Sequence, residues 1–110
     1  MAMTTIRNHV TLIGSIASDN RIMQFENGNK VVRFDVTTEK QYRANNGKIR
    51  EGKEWHKAFA WGNIAGFIEQ FGEKGKRVAI HGRLISRSYF SPQGVKRTIT
   101  EVEVKHILGL

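Results

Sequence analysis

A mainly β domain, built from five longer strands with one short helix between the third and the fourth, is the fold this sequence predicts. Three observations predict it. Apolar residues recur at every second position through most of the chain. One segment breaks that rhythm: Ile64, Phe67, Ile68 and Phe71 fall at i, i+3, i+4 and i+7, the stripe of an amphipathic helix. The 110 residues suffice for one domain, 1–110, and are too few for two.

The elements follow in order. Residues 6–16, IRNHVTLIGSI, alternate Val10, Leu12 and Gly14 against Thr11, Ile13 and Ser15. Both faces are partly apolar, which reads as a strand covered on both sides. The turns SDN (18–20) and ENGN (26–29) flank RIMQF, a short strand. Residues 30–42 alternate Val32, Phe34 and Val36 against Val31, Arg33 and Asp35, a strong strand pattern. Residues 43–53, RANNGKIREGK, read as an exposed loop or long hairpin tip. EWHKAFAWG, 54–62, is the next strand.

Asn63 is a suitable N-cap for the helix, and Gly72 and Gly75 suit its end. Period two returns in 76–90 through Val78, Ile80, Gly82 and Leu84. SPQG, 91–94, is a turn, and 95–108 is the last strand, with Val102 and Val104 opposite Glu101 and Glu103, which read as a solvated face. Strand, strand, strand, helix, strand, strand in a small basic β domain is the order of the OB-fold. That fold is a five-stranded Greek-key barrel that often holds single-stranded nucleic acid or oligosaccharide.

Charge narrows the function. Eighteen Lys and Arg against ten Asp and Glu give +8. Such an excess favours a polyanionic partner, nucleic acid ahead of an anionic membrane surface. The chain has no cysteine, which removes disulfides, thiolate metal sites and cysteine nucleophiles and suits a reducing interior. The start MAMTTIRNHVTLIG has no signal-peptide pattern, and no apolar stretch nears the roughly 20 residues of a membrane span.

Both tryptophans lie in EWHKAFAWG. On a strand, Trp55, Lys57, Phe59 and Trp61 share one face, and His56, Ala58 and Ala60 the other. The ordinary reading of an aromatic row is core packing. Two details oppose it. An unpaired ammonium at Lys57 is very costly to bury, and the small Ala58 and Ala60 suit a crowded interior on the opposite side. The tryptophan face is therefore expected to be outer and partly wet. Aromatic rings among cations are what a single strand requires: bases stack on rings and phosphates meet cations. Tyr42 beside Lys40 and Arg43, and Tyr89 beside Arg87, repeat the pairing near two more strand ends.

Other chemistry finds little support. His9, His56, His81 and His106 are scattered with no pair at ligand spacing, so no metal site or other cofactor is expected. No nucleophile motif or GxxxxGK[ST] loop is present. The acids are too dispersed to suggest a two-metal nuclease.

These residues resemble the bacterial single-stranded DNA-binding protein family over nearly the whole chain. The matching pieces occur in order: NHVTLIGSIASD at 8–19, VVRFDVTTE at 31–39, EWH at 54–56 with Trp61-Gly62, GKRVAIHGRL at 75–84 and TEVEV at 100–104. The resemblance implies an OB-fold, a homotetramer, no enzymatic activity, a cytoplasmic setting, and binding of single-stranded DNA with little sequence preference during replication, recombination and repair. The family's stacking aromatics fall on Tyr42, Trp55, Trp61 and Tyr89, and its cationic positions on Lys57, Lys74 and Arg87. Charge and expected exposure add Arg43, Lys48, Arg50 and Lys53.

The sequence departs from well-known members at these aromatics, with tyrosine for tryptophan twice and tryptophan for phenylalanine once, and His81 stands where an acid is common. Many members also continue into a flexible tail whose acidic, apolar tip recruits replication and repair proteins. This sequence ends at Leu110, so recruitment by that route is not expected from it. The competing readings are a tailless paralogue serving primosome assembly, DNA uptake or a mobile element, and a structural homo-oligomer with all its aromatics buried.

Overall fold

The computed structural model describes residues 7–110. Its elements are β1 (Val10–Ile16), β2 (Arg21–Gln24), β3 (Lys30–Arg43), β4 (Ile49–Trp61), α1 (Gly62–Phe71), β5 (Arg77–Phe90) and β6 (Lys96–Gly109). The sheet runs β1-β5-β6-β4-β3-β2, and a further β1–β3 pairing closes it. β1, β3, β4, β5 and β6 thus form a closed five-stranded barrel, with α1 between the third and fourth of them. This is the expected OB-fold. All neighbours are antiparallel except β4 and β6.

Closure depends on β3, whose one edge serves two partners. Its first residues pair with β2, from Arg21↔Arg33 to Gln24↔Lys30. Further on the same strand takes Ser15↔Thr37 and Ile16↔Val36 from β1. The two strands come so close at Gly14 that a Cβ there would sit 2.0 Å from the Thr37 carbonyl oxygen. Only glycine allows that approach.

The core is the even-numbered set of the alternating strands. Val32, Phe34, Val36, Ala58, Ala60, Val78, Ile80, Val102 and Val104 are buried together with Ile16. α1 packs against β3, β4 and β6, and inserts Ala65 and Ile68 into this cluster. Ile64 packs partly against it, while Phe67 and Phe71 of the expected stripe stay exposed and lean on each other at 5.1 Å. Asn20 ties off the far end of the helix. Its Nδ2 donates to the carbonyls of Ile68 (3.0 Å) and Gly72 (3.2 Å) at the end of the helix, where backbone acceptors run short of helical partners.

Several expectations are corrected. The first strand starts at Val10, and Ile6, its expected start, lies outside the described residues. Its Ile13 is exposed, so the outer face of β1 is not covered within one chain. Asn63 is not the N-cap: Gly62, at φ 61°, turns the chain out of β4 one residue earlier, and Trp61 takes the cap position without a side-chain bond. Gly72 does end the helix, its N–H donating to Ile68 O at 2.7 Å.

The loop expected over 43–53 is mostly strand. β3 runs to Arg43 and β4 starts at Ile49, in unbroken register from Val31↔Trp61 to Arg43↔Ile49. This outer part of the hairpin is exposed on both sides, so no apolar alternation marks it as strand.

Candidate nucleic-acid interface

Strand alternation places the odd-numbered residues of β3, β4 and β5, and of β6 up to the irregularity opposite His81 and Gly82, on the outside of the barrel. Trp55, Lys57, Phe59 and Trp61 line up there on β4, as expected. Trp55 is 64% exposed and Trp61 44%. Six residues at about 3.4 Å each set the two indoles about 20 Å apart along the strand. Phe59 is the exception: it is buried, because Arg33 on β3 lies opposite and its guanidinium covers the ring at 5.6 Å. His56 points the other way, half-buried, its Nε2 2.9 Å from Thr38 Oγ1.

Tyr89 is 47% exposed near the end of β5, opposite Arg97 of β6. It shares the outer face with Arg87. Tyr42 does not. It is 48% exposed but has the parity of Val32, Phe34 and Val36, so it lies on the other side of the β3–β4 ribbon from Trp55. Its companions there are Lys40, whose ammonium is 5.9 Å from the Tyr42 ring, and Arg50 in register. Arg43 and Lys53 have the parity of Trp55. Lys48 sits in the turn joining β3 to β4, and Lys74 in the turn after α1. The expected site residues therefore divide into an outer-face group, a hairpin group and Lys74.

The outer face is more ordered than its sequence suggests. Lys57 pairs in register with Asp35, which also meets Arg21 at 3.6 Å. Glu101 is 4% exposed and accepts from Arg87 Nε (2.9 Å) and Arg33 Nε (3.3 Å). Glu103 is mostly buried and accepts from Arg83 Nε (2.8 Å) and Lys105 Nζ (3.1 Å). The solvated acidic face expected of Glu101 and Glu103 is therefore corrected, since cations from both sides cover the two carboxylates. The Arg83 hydrogen bond holds the Glu103 carboxyl below the usual carboxylate range, against an upward push from burial and with further help from Lys105. That pairing stabilises the fold above the pH where a free carboxyl titrates and is lost on acidification.

Sequence reasoning missed Arg33, Arg21 and Phe25. Arg33 was legible as the residue between Val32 and Phe34 that must face outward. Phe25 carried no periodic signal. It closes the β2–β3 turn, where its N–H donates to Asn29 O (2.7 Å) and its carbonyl accepts from Gly28 (2.9 Å). Its ring stacks on Trp61, centroids 5.8 Å apart.

Three of the four histidines are not scattered. β1, β5 and β6 are neighbours, so His9, His81 and His106 form a stacked row despite their distance in sequence. His9 Nδ1 lies 2.8 Å from His81 Nε2, and His81 Nδ1 lies 3.2 Å from His106 Nδ1. His81 meets its neighbours through different ring nitrogens, so the three do not converge on one point. Among the described residues no group of three or more His, Cys, Asp or Glu is arranged to hold a metal ion. No helix among them is long and apolar enough to cross a membrane.

Fold and face together define an OB-fold protein with an exposed surface of aromatic rings and cations. Residues 7–110 match the single-strand binding protein family. The chain belongs to that family. It is 35% identical to single-stranded DNA-binding protein 1 of Chlorobaculum tepidum over 86% of this chain and 59% of that protein. It is 34% identical to the single-stranded DNA-binding protein of Bacteroides thetaiotaomicron over 91% of this chain and 63% of that one. The chain thus spans about three-fifths of the length of these relatives.

Among solved structures it is similar to a Plasmodium falciparum SSB in complex with ssDNA, with a TM-score of 0.86, 26% identity and 94% of each chain covered. A deletion mutant of the single-stranded DNA-binding protein from Thermus aquaticus shares the fold, with a TM-score of 0.80 and 23% identity over 94% of this chain and 50% of that one.

Proposed function

We propose that this protein binds single-stranded DNA with little sequence specificity and protects it during replication, recombination and repair. The observation that carries the reading is the exposed row Trp55–Lys57–Trp61 on a barrel of this family. Bases stack on Trp55, Trp61 and Tyr89. Phosphates meet Lys57 and Arg87, and the surface continues along the hairpin through Lys40, Tyr42, Arg43, Lys48, Arg50 and Lys53, with Lys74 as an outlying contact. Stacking tolerates every base, because every base has a π-face. Family membership supports a binder over an enzyme, and the reading implies a cytoplasmic protein acting at the nucleoid.

Salt tests the phosphate half of this account. Affinity for oligo(dT) should fall with salt at a slope of roughly −0.7 per contacted phosphate. It should fall less steeply than the net charge of +8 suggests, and the stacking part, which is not ionic, should persist at high salt. Lys57→Ala and Arg87→Ala should each flatten the slope. An unchanged slope with reduced affinity would remove those side chains from the phosphate contacts.

The reading includes a homotetramer. Ile13, Ala79 and Leu108 stand in one row across β1, β5 and β6, and Ile13 and Leu108 are 58% and 67% exposed. Another copy of the chain covers such a row readily, and closed symmetry is the usual outcome for identical subunits. Light scattering should give about 50 kDa, four times the 12.5 kDa chain. A monomer at micromolar concentration would contradict this part of the proposal.

A further inference from the structure

We infer that Glu101 is a positioning residue for strand binding: its buried carboxylate holds Arg33 and Arg87 by their Nε atoms, so that both guanidinium groups face outward at fixed places on the aromatic face. The inference rests on the strand-binding reading above.

Charge counting argues the other way at first. Glu101 lies in the middle of the proposed surface, and a carboxylate repels phosphate. Its depth decides the matter. The Glu101 side chain is 4% exposed, while those of Arg33 and Arg87 are 32% and 51% exposed. The acid is sunk beneath the cations. A carboxylate so placed is tolerated only when paired and hydrogen-bonded, and each of its oxygens accepts from one arginine, Oε1 from Arg87 and Oε2 from Arg33.

The two arginines come from different sides. Arg87 reaches in from β5, the strand next to β6. Arg33 comes from β3 and crosses the Phe59 ring of β4 on its way. One carboxylate therefore ties together groups from strands on either side of it. Asp35 repeats the pattern more loosely under Arg21, at 3.6 Å, with Lys57 beside it in register. Arg21, Arg33, Asp35, Lys57, Arg87 and Glu101 line one shallow depression on the outer face, with Ile99 beside them.

The chemistry follows from how arginine is built. A guanidinium has five N–H donors in a fixed planar fork. A bond through Nε fixes the plane of the fork and leaves terminal N–H groups for a phosphate. A free arginine loses rotamer freedom when it binds, and one held in place beforehand loses less. Lysine cannot substitute in this arrangement. Its ammonium is a point charge with three rotatable donors, so a bond to the carboxylate fixes no plane and presents no oriented fork to the phosphate.

Two variants test the inference against bulk electrostatics, by oligo(dT) titration at several salt concentrations and by thermal melting. Glu101→Gln raises the net charge by one, so electrostatics alone predicts tighter binding. We expect binding weaker by roughly threefold to tenfold, the cost of immobilising one rotamer-rich side chain that is no longer held in place, with a flatter salt slope. Arg87→Lys keeps the charge at an exposed position and should keep the melting temperature. It is expected to bind more weakly by a similar factor.

Glu101→Gln binding as tightly as the parent or more tightly overturns the inference, and so does Arg87→Lys indistinguishable from the parent. If Glu101→Gln fails to fold, Arg87→Lys alone decides. Failure of the parent protein to bind oligo(dT) is a separate result, which refutes the strand-binding reading and this inference with it.

Discussion

Phe34→Ala is expected to lower stability by about 3–5 kcal/mol, the usual cost of deleting a buried aromatic ring. Phe34 is the largest fully buried side chain among the described residues. It pairs in register with Ala58, and Ala58 and Ala60 are the small residues that make room for it. The strands around it are hydrogen-bonded into a closed barrel, so the cavity has little chance to collapse, and a cavity that stays open costs most. Denaturant unfolding at constant m-value measures the loss. A change below about 1 kcal/mol would place Phe34 outside the packing that holds the barrel.

The second large effect is on binding. Trp55→Ala and Trp61→Ala should each weaken oligo(dT) binding by about 1–3 kcal/mol, the worth of one base–aromatic stack. At about 20 Å along the strand the two sites are too far apart to couple directly, so the losses should add in the double variant. Stability should change little at Trp55, which is mostly exposed. Trp61 should lose slightly more, because its stack on Phe25 goes with it. Melting and titration on the same samples separate the two effects. Loss of melting temperature with full binding in the folded fraction would make the row core packing.

Much of this architecture is legible from the sequence wherever an element has one wet and one dry face. Val32, Phe34 and Val36 alternate because the barrel interior forces them to, and Ile64 and Ile68 break the period because a helix has another geometry. The outer half of the β3–β4 hairpin was hidden for the same reason, since it touches no core and carries no pattern. The pairings that organise the site were hidden by distance in the chain. Glu101 reads as an exposed acid beside Val102 until β3 and β5 bring Arg33 and Arg87 to it. His9, His81 and His106 look unrelated until three strands become neighbours. The opposite parity of Tyr42 and Trp55 was recoverable, because once 43–53 is read as a tight hairpin the alternation places them on different faces.

The central claim is that the tryptophan face is where single-stranded DNA lies. Titration of the intact protein with oligo(dT), following tryptophan fluorescence, tests it most directly, because both indoles of the chain are on that face. The account predicts a large, saturable quench that weakens as salt rises, and that Trp55→Ala and Trp61→Ala, each of which keeps one indole as reporter, still show at higher oligo(dT) concentrations. Tight binding of oligo(dT) with the fluorescence unchanged would put the strand elsewhere on the barrel and contradict it.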